Sequence, residues 1–90
     1  MKLRQIKEDL ILNVEKISII ESDVAINLTK TGLLYGFIFF IDNEKMYSPQ
    51  FSSKKEAISY FKKVFAGVDN KIDVNTMFKN EEEERKKLKN

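Results

Sequence analysis

The sequence predicts an α+β fold in which a three-stranded antiparallel sheet is combined with helices in the order α-β-β-β-α-α. Three observations support this prediction. The uncharged run from Leu33 to Ile41 is rich in aromatic and β-branched side chains, which favour strands. Apolar residues near the N-terminus recur every three to four positions, as on one face of a helix. Ser53 and Glu56 have the spacing of a capping box, which is typical of a helix start.

The first predicted element is a helix over about residues 2–15. Its apolar positions follow the spacing of a single helix face. They are Leu3, Ile6, Leu10, Val14 and Ile17. We place the end of this helix near residues 13–16, because the β-branched Ile19 and Ile20 that follow could begin a strand.

Three strands are predicted next. Residues 24–28 alternate between apolar and polar, which indicates a strand with one solvated face. Leu33–Ile41 is apolar on both alternating faces, which is typical of a central strand. Residues 42–45 fit a four-residue hairpin loop. Residues 46–51 fit an edge strand or a strand that ends near Pro49, because Pro49 cannot donate a hydrogen bond to a neighbouring strand.

Gly36 interrupts the second apolar set of the central strand. A glycine inside a strand often marks a bulge or the close approach of another backbone. We therefore expect one of these features at Gly36.

The capping box is expected to open a helix that runs to about Ala66. Gly67 fits a left-handed residue after the helix end, and Val68 is placed for the hydrophobic contact that often follows. Asp73 is expected to cap a last helix.

That last helix has apolar residues only at its start, and charged side chains follow at i,i+4 spacing. The apolar ones are Val74, Met77 and Phe78, and the expected pairs are Glu81 with Arg85, Glu82 with Lys86 and Glu83 with Lys87. We expect a single α+β domain over residues 1–79 and a charged, partly frayed helix end over residues 80–90.

The composition offers little chemistry. The 90 residues include no histidine and no cysteine, so the usual general base near neutral pH, a thiolate nucleophile and a zinc–sulfur site are missing. No serine lies in a Gly-x-Ser-x-Gly motif, and the three glycines form no phosphate loop. We expect no enzyme, no cofactor and no metal. The N-terminus lacks an apolar signal segment, so we expect a cytoplasmic protein without membrane association.

Two acidic pairs could hold a hard cation, since carboxylate oxygens suit such ions. Asp42 and Glu44 lie together at a hairpin tip, and Asp69 and Asp73 share a loop. Both pairs fit turn and cap residues better.

Residues 52–57, Ser-Ser-Lys-Lys-Glu-Ala, open the second predicted helix, and three strands are predicted between it and the first helix. This helix start and this element order resemble those of the double-stranded RNA-binding domain. In that family a Lys-Lys-x-Ala-Lys motif and the helix N-terminus contact phosphates across the major groove. The matching residues are Lys54, Lys55 and Ala57. Ile58 stands where the family has its third lysine. The resemblance implies duplex RNA or DNA binding by Lys54 and Lys55, with Lys62 further along the helix and Lys30 in the loop between the first two strands.

The α-β-β-β-α-α order is also similar to that of some small phage anti-CRISPR proteins, which block an effector nuclease by occupying its nucleic-acid or partner surface. The similarity implies a small inhibitor that docks on a larger nucleic-acid-processing protein. It includes no motif from which functional residues could be transferred.

A physical argument supports protein binding. A strand that is apolar on both faces needs cover on both, and one of the three predicted helices is largely polar. We expect some aromatic side chains to remain exposed as a surface for a larger protein or a second copy. The candidates are Tyr35, Phe37, Phe39, Tyr47 and Phe51. The first and last helices could instead cover the two faces between them.

The net charge is +2, from 16 basic and 14 acidic residues. This is a weak electrostatic footprint for binding driven by phosphates. We therefore prefer a protein-binding module, and duplex nucleic-acid binding stays as the alternative.

Overall fold

The computed structural model describes residues 1–30, 32–68 and 72–89. In chain order the elements are β1 Leu3–Lys7, β2 Leu10–Asn13, a 3-10 helix Val14–Lys16, β3 Ile19–Ile26, β4 Leu33–Ile41, β5 Glu44–Tyr47, α1 Lys54–Val64, α2 Val74–Met77 and α3 Lys79–Lys89. β3, β4 and β5 form an antiparallel sheet with β4 in the centre, and β1 and β2 form a separate hairpin. The α+β class and the three-stranded sheet are confirmed, whereas the predicted helix order is wrong at its start.

The predicted N-terminal helix is replaced by the β1–β2 hairpin. Ile6 and Val14 are buried and Leu10 is half-buried, whereas Leu3 and Ile11 are exposed on the other side. Ile6 lies on β1, Leu10 on β2 and Val14 in the 3-10 helix, and all three side chains face the core. Three short elements therefore reproduce the spacing of a single helix face, although no α-helix is present over these residues.

The other two strands also differ from their predicted bounds. β3 begins at Ile19, and Leu28, the last residue of the predicted strand, lies beyond its end and is 94% exposed. β4 and β5 are joined by a two-residue turn, because Asp42 and Asn43 both adopt positive φ, 49° and 68°. Aspartate and asparagine tolerate this conformation, which gives the tight hairpin turn whose twist matches that of the strands.

The core lies between the inner face of the sheet and the helices, and the hairpin contributes to it. Phe37 is completely buried, and its ring centroid lies 5.1 Å from that of Phe61 on α1 and 5.2 Å from that of Phe78, between α2 and α3. Phe39 meets Phe65 at 5.7 Å. Burying each such ring contributes about 1.5–3 kcal/mol, so the aromatic side chains of β4 are central to stability.

The predicted helix caps are confirmed. Ser53 Oγ accepts a hydrogen bond from the Glu56 N–H at 3.2 Å and donates one to the Glu56 carboxylate at 3.1 Å. Gly67 adopts φ 75°, the left-handed conformation expected after α1. Asp73 caps α2 by accepting from the Asn75 N–H at 3.1 Å.

α3 lies along the outer edge of β3. Glu81 Oε1 accepts from the Val24 N–H at 3.0 Å and from the Ser22 hydroxyl at 3.1 Å, and Arg85 Nε donates to the Val24 carbonyl at 2.8 Å. Both side chains bond to the sheet, where we predicted that they would pair with each other. Glu81, Glu82 and Arg85 are accordingly half-buried.

Candidate functional site

The two faces of the sheet differ in their cover. Successive side chains of a strand point to opposite faces. Because Phe37 and Phe39 lie in the core, Leu34, Ile38 and Phe40 point to the opposite, outer face. These three side chains are half-buried, and within the described residues they neither belong to the core nor pack against it. α1 packs on the inner face and α3 on the β3 edge, so none of the described helices lies above the apolar side chains of the outer face.

Six side chains form two cross-strand rows on this outer face. Row by row they are Glu21, Ile38 and Tyr47, and then Ile19, Phe40 and Lys45. We call these six residues the outer-face patch. Ile19 is 53% exposed and Tyr47 49%, and the Lys45 ammonium lies 5.8 Å from the centroid of the Phe40 ring, within cation–π range. The patch thus has four apolar side chains, with an acid and a base at diagonally opposite corners.

Gly36 bounds the outer-face patch at one end. A Cβ at this position would lie 3.1 Å from the Pro49 carbonyl oxygen and 3.2 Å from Ser48 Oγ. Ser48 Oγ accepts from the Phe37 N–H at 2.8 Å, which fixes the segment after β5 against β4. The predicted close approach of another backbone at Gly36 is confirmed, and the open part of the face begins beyond it, at Ile38.

The structure places the five aromatic candidates in different environments. Phe37 and Phe39 are 0% exposed, and Tyr35 is also buried. Phe51 is half-buried, and its ring packs on an α1 tyrosine at 5.1 Å between centroids. Tyr47 is exposed and belongs to the outer-face patch. The expected exposure is therefore wrong for Tyr35, Phe37 and Phe39, because their set of alternating positions is the one that faces the helices.

Sequence reasoning missed Ile19, Ile38 and Phe40. Both alternating sets of β4 are apolar, so hydropathy does not show which one faces the core. Two signals could have shown it. Three of the four aromatic residues of β4 belong to the inner set, and Gly36, which fills no core volume, belongs to the outer set.

Lys54, one of the lysines on which the nucleic-acid interpretation depends, forms an ion pair with a glutamate of α3. Its ammonium lies 2.8 Å from the Glu82 carboxylate, which also pairs with Lys86 at 3.0 Å, as predicted for that i,i+4 pair. The hydrogen bond from Lys54 holds the pKa of Glu82 below its ordinary value, and the bond to Glu82 raises the pKa of Lys86. Lys54 therefore joins α1 to α3.

The remaining lysines of that interpretation are exposed. Lys55 and Lys62 lie about two turns apart on α1, and Lys30 lies in the loop after β3. The β1–β2 hairpin stands where the double-stranded RNA-binding domain has its first helix, so the element order differs from the one on which the resemblance depended.

The acidic pairs considered as cation sites serve local structure where they are described. Asp42 forms the β4–β5 turn, Glu44 begins β5, and Asp73 caps α2. Asp69 lies outside the described residues. In the described ranges no three histidine, cysteine or acidic side chains come together as a metal site would require.

A half-open groove of about 490 Å³ lies between the 3-10 helix and the C-terminal end of α1. Its walls include Ile20 and Phe65. The charged groups at its rim are engaged within the chain: the Lys2 ammonium donates to the Gly67 carbonyl, and the Glu15 carboxylate lies 3.0 Å from the N-terminal amine. The bond to this amine lowers the pKa of Glu15. These two contacts therefore join the N-terminal residues to the 3-10 helix and to the segment after α1.

None of the helices that the structure describes combines the length and the apolar character needed to cross a membrane.

Comparisons with known proteins identify no relative of this chain. No protein-family model, no curated protein and no solved structure matches it.

Proposed function

We propose that this chain is a non-enzymatic protein-interaction module that docks on another protein through the outer-face patch. The observation that carries the proposal is the set of four apolar side chains, Ile19, Ile38, Phe40 and Tyr47, on the face of the sheet opposite the core.

The composition of the outer-face patch fits a protein interface. Such interfaces are enriched in aromatic side chains at the centre and have polar residues at the rim. Here Phe40 and Ile38 lie on the central strand, and Glu21 and Lys45 lie at the corners. Docking buries apolar area, and each Å² buried contributes about 25 cal/mol of favourable free energy. Ile19 and Tyr47, each about half exposed, contribute most of that area.

Duplex nucleic-acid binding has less support. Lys54 is paired with Glu82, so the interpretation depends on Lys30, Lys55 and Lys62 in a chain with a net charge of +2. No observation on the described residues favours that function. The narrower expectation, an inhibitor of a nucleic-acid-processing protein, stays a prediction.

The proposal is tested with a photo-activated cross-linking amino acid at Tyr47, compared with the same group at Ser59, which is exposed on α1. After illumination in an extract of the source cells, the Tyr47 position should give a discrete protein adduct and the Ser59 position should not. Adding Ile38→Glu should remove that adduct, because a carboxylate in the centre of the patch opposes burial. Adding Lys62→Glu, away from the patch, should leave it.

Circular dichroism would first show that each variant is folded. An adduct that forms equally well from Ser59, or that persists with Ile38→Glu, would contradict the assignment of the outer-face patch. A Tyr47 position that yields no protein adduct would contradict the proposed function itself.

A further inference from the structure

We propose that, in the free protein, a second copy of this chain covers the outer-face patch and forms a weak two-fold dimer. This inference rests on the proposed function and identifies a second copy of the chain as one partner of the outer-face patch.

The charges of the patch are complementary to themselves. In a two-fold dimer the same surface meets itself, so that residue i contacts residue j of the other copy and j contacts i. Glu21 on β3 and Lys45 on β5 lie at diagonal corners of the two rows. A two-fold axis along the other diagonal therefore places each Glu21 against Lys45 of the other copy, which gives two opposite-charge contacts.

The apolar side chains fit the same arrangement. Ile38 and Phe40 lie on the central strand, between the two charged corners. The axis runs through Ile19 and Tyr47, and Ile38 and Phe40 lie on either side of it, so that Ile38 of one copy packs against Phe40 of the other. A second copy offers an opposite charge to both Glu21 and Lys45.

The size of the face determines how strong this dimer can be. The open part of the face comprises four residues of β4, from Ile38 to Ile41. At about 3.4 Å per residue and with three strands about 4.8 Å apart, it measures roughly 200 Å² per copy. Two copies bury about 400 Å², which is well below the roughly 1,200–2,000 Å² of stable complexes. The dimer should therefore be weak and reversible, with a dissociation constant on the order of 0.1–1 mM.

The test is sedimentation equilibrium of the whole chain from about 10 μM to about 1 mM at low salt, where exposed charges are least screened. We expect the mean mass of the native chain to rise toward twice the monomer mass. Glu21→Lys and Lys45→Glu should each weaken the dimer about tenfold or more, since two opposite-charge contacts become two like-charge contacts. Glu8→Lys, at the exposed hairpin turn, makes the same change in net charge as Glu21→Lys and should have no effect.

The decisive measurement mixes the two charge-reversed variants. Glu21→Lys supplies two bases and Lys45→Glu supplies two acids, so the equimolar mixture should restore dimerisation to the native level. Glu21 and Lys45 are exposed, and neither substitution changes the core.

A native chain that stays monomeric at about 1 mM would overturn the dimer. A dimer that neither reversal weakens, or a mixture that does not recover, would place the contact elsewhere and would also overturn it. In each case a Tyr47 cross-link to a different protein would leave the proposed function standing, so the two failures are distinguishable.

Discussion

Glu81 and Arg85 of α3 take the place of a neighbouring strand at the edge of β3. Glu81 accepts from the Val24 N–H at 3.0 Å, and Arg85 donates to the Val24 carbonyl at 2.8 Å. We predict that Glu81→Ala releases this edge and exposes the Val24 amide to solvent. The alanine removes the acceptor and keeps a residue that favours the helix.

The magnitude follows from the bonds that α3 makes. Residues 79–87 contain no apolar side chain, so polar contacts hold this part of the helix on β3. A hydrogen bond to a charged group contributes about 1.5–3 kcal/mol. Since about 1.4 kcal/mol is a tenfold change in an equilibrium constant, hydrogen exchange of the Val24 amide should accelerate about 10- to 100-fold.

The assay is amide hydrogen exchange followed by NMR, and the sheet provides its own control. Backbone groups of successive strand residues point to opposite sides, so the amides of Asp23 and Ala25 face β4 while that of Val24 faces α3. The Asp23 and Ala25 amides should keep their native exchange rates in Glu81→Ala. Glu83→Ala, an exposed neighbour on the same helix, should leave all three unchanged.

Two results would refute this reasoning. Unchanged exchange at Val24 would show that Glu81 does not protect the edge. Equal acceleration at Asp23, Val24 and Ala25 would show that the substitution destabilises the whole sheet rather than releasing α3.

Two further substitutions test the cover of the sheet and the junction of the helices. Gly36→Ala should destabilise the protein by about 1–3 kcal/mol in urea denaturation, because the added Cβ would lie 3.1 Å from the Pro49 carbonyl oxygen; native stability would contradict the close approach. Lys54→Met should lower stability by about 1 kcal/mol at neutral pH, while the exposed Lys55→Met should not. The ion pair lowers the pKa of Glu82, so its contribution is present above the pKa of the unfolded carboxyl and is lost as the pH falls through the lower folded pKa. The difference between Lys54→Met and the native protein should therefore vanish in acid, and a difference that persists there would exclude the carboxylate as its source.

The features that were predicted correctly depend on residues that are close together in the sequence. Ser53 caps α1 because the first turn of a helix leaves amides without a partner, and the Ser53 hydroxyl accepts from the Glu56 N–H whatever packs on the helix. The Glu56 carboxylate accepts from the same hydroxyl. Gly36 indicates a close contact because it lacks a Cβ. The uncharged run Leu33–Ile41 is apolar on both alternating faces, which favours the central position that it has in the sheet.

The failures depend on contacts between distant residues. Whether Phe39 or Phe40 faces the core is decided by packing against α1, and the strand sequence indicates the answer only indirectly, through its distribution of aromatic residues and Gly36. Distant contacts also decide the placement of Glu81 and Arg85, whose spacing favours a pair on the helix surface. The unpaired N–H and carbonyl of Val24 bind both side chains instead.

The position of α3 also bears on where association can occur. Sheet proteins commonly associate through an unpaired edge strand, and charged side chains or a covering helix prevent this. Here α3 occupies the backbone of Val24 on one edge, and the other edge strand, β5, has only four residues and begins with the charged Glu44 and Lys45. Strand addition is thus disfavoured at both edges, whereas the outer face keeps Phe40 and Tyr47 accessible. We therefore expect a partner to bind the outer face of this sheet rather than an edge strand. Substitutions in the outer-face patch, rather than on α3, should then control binding.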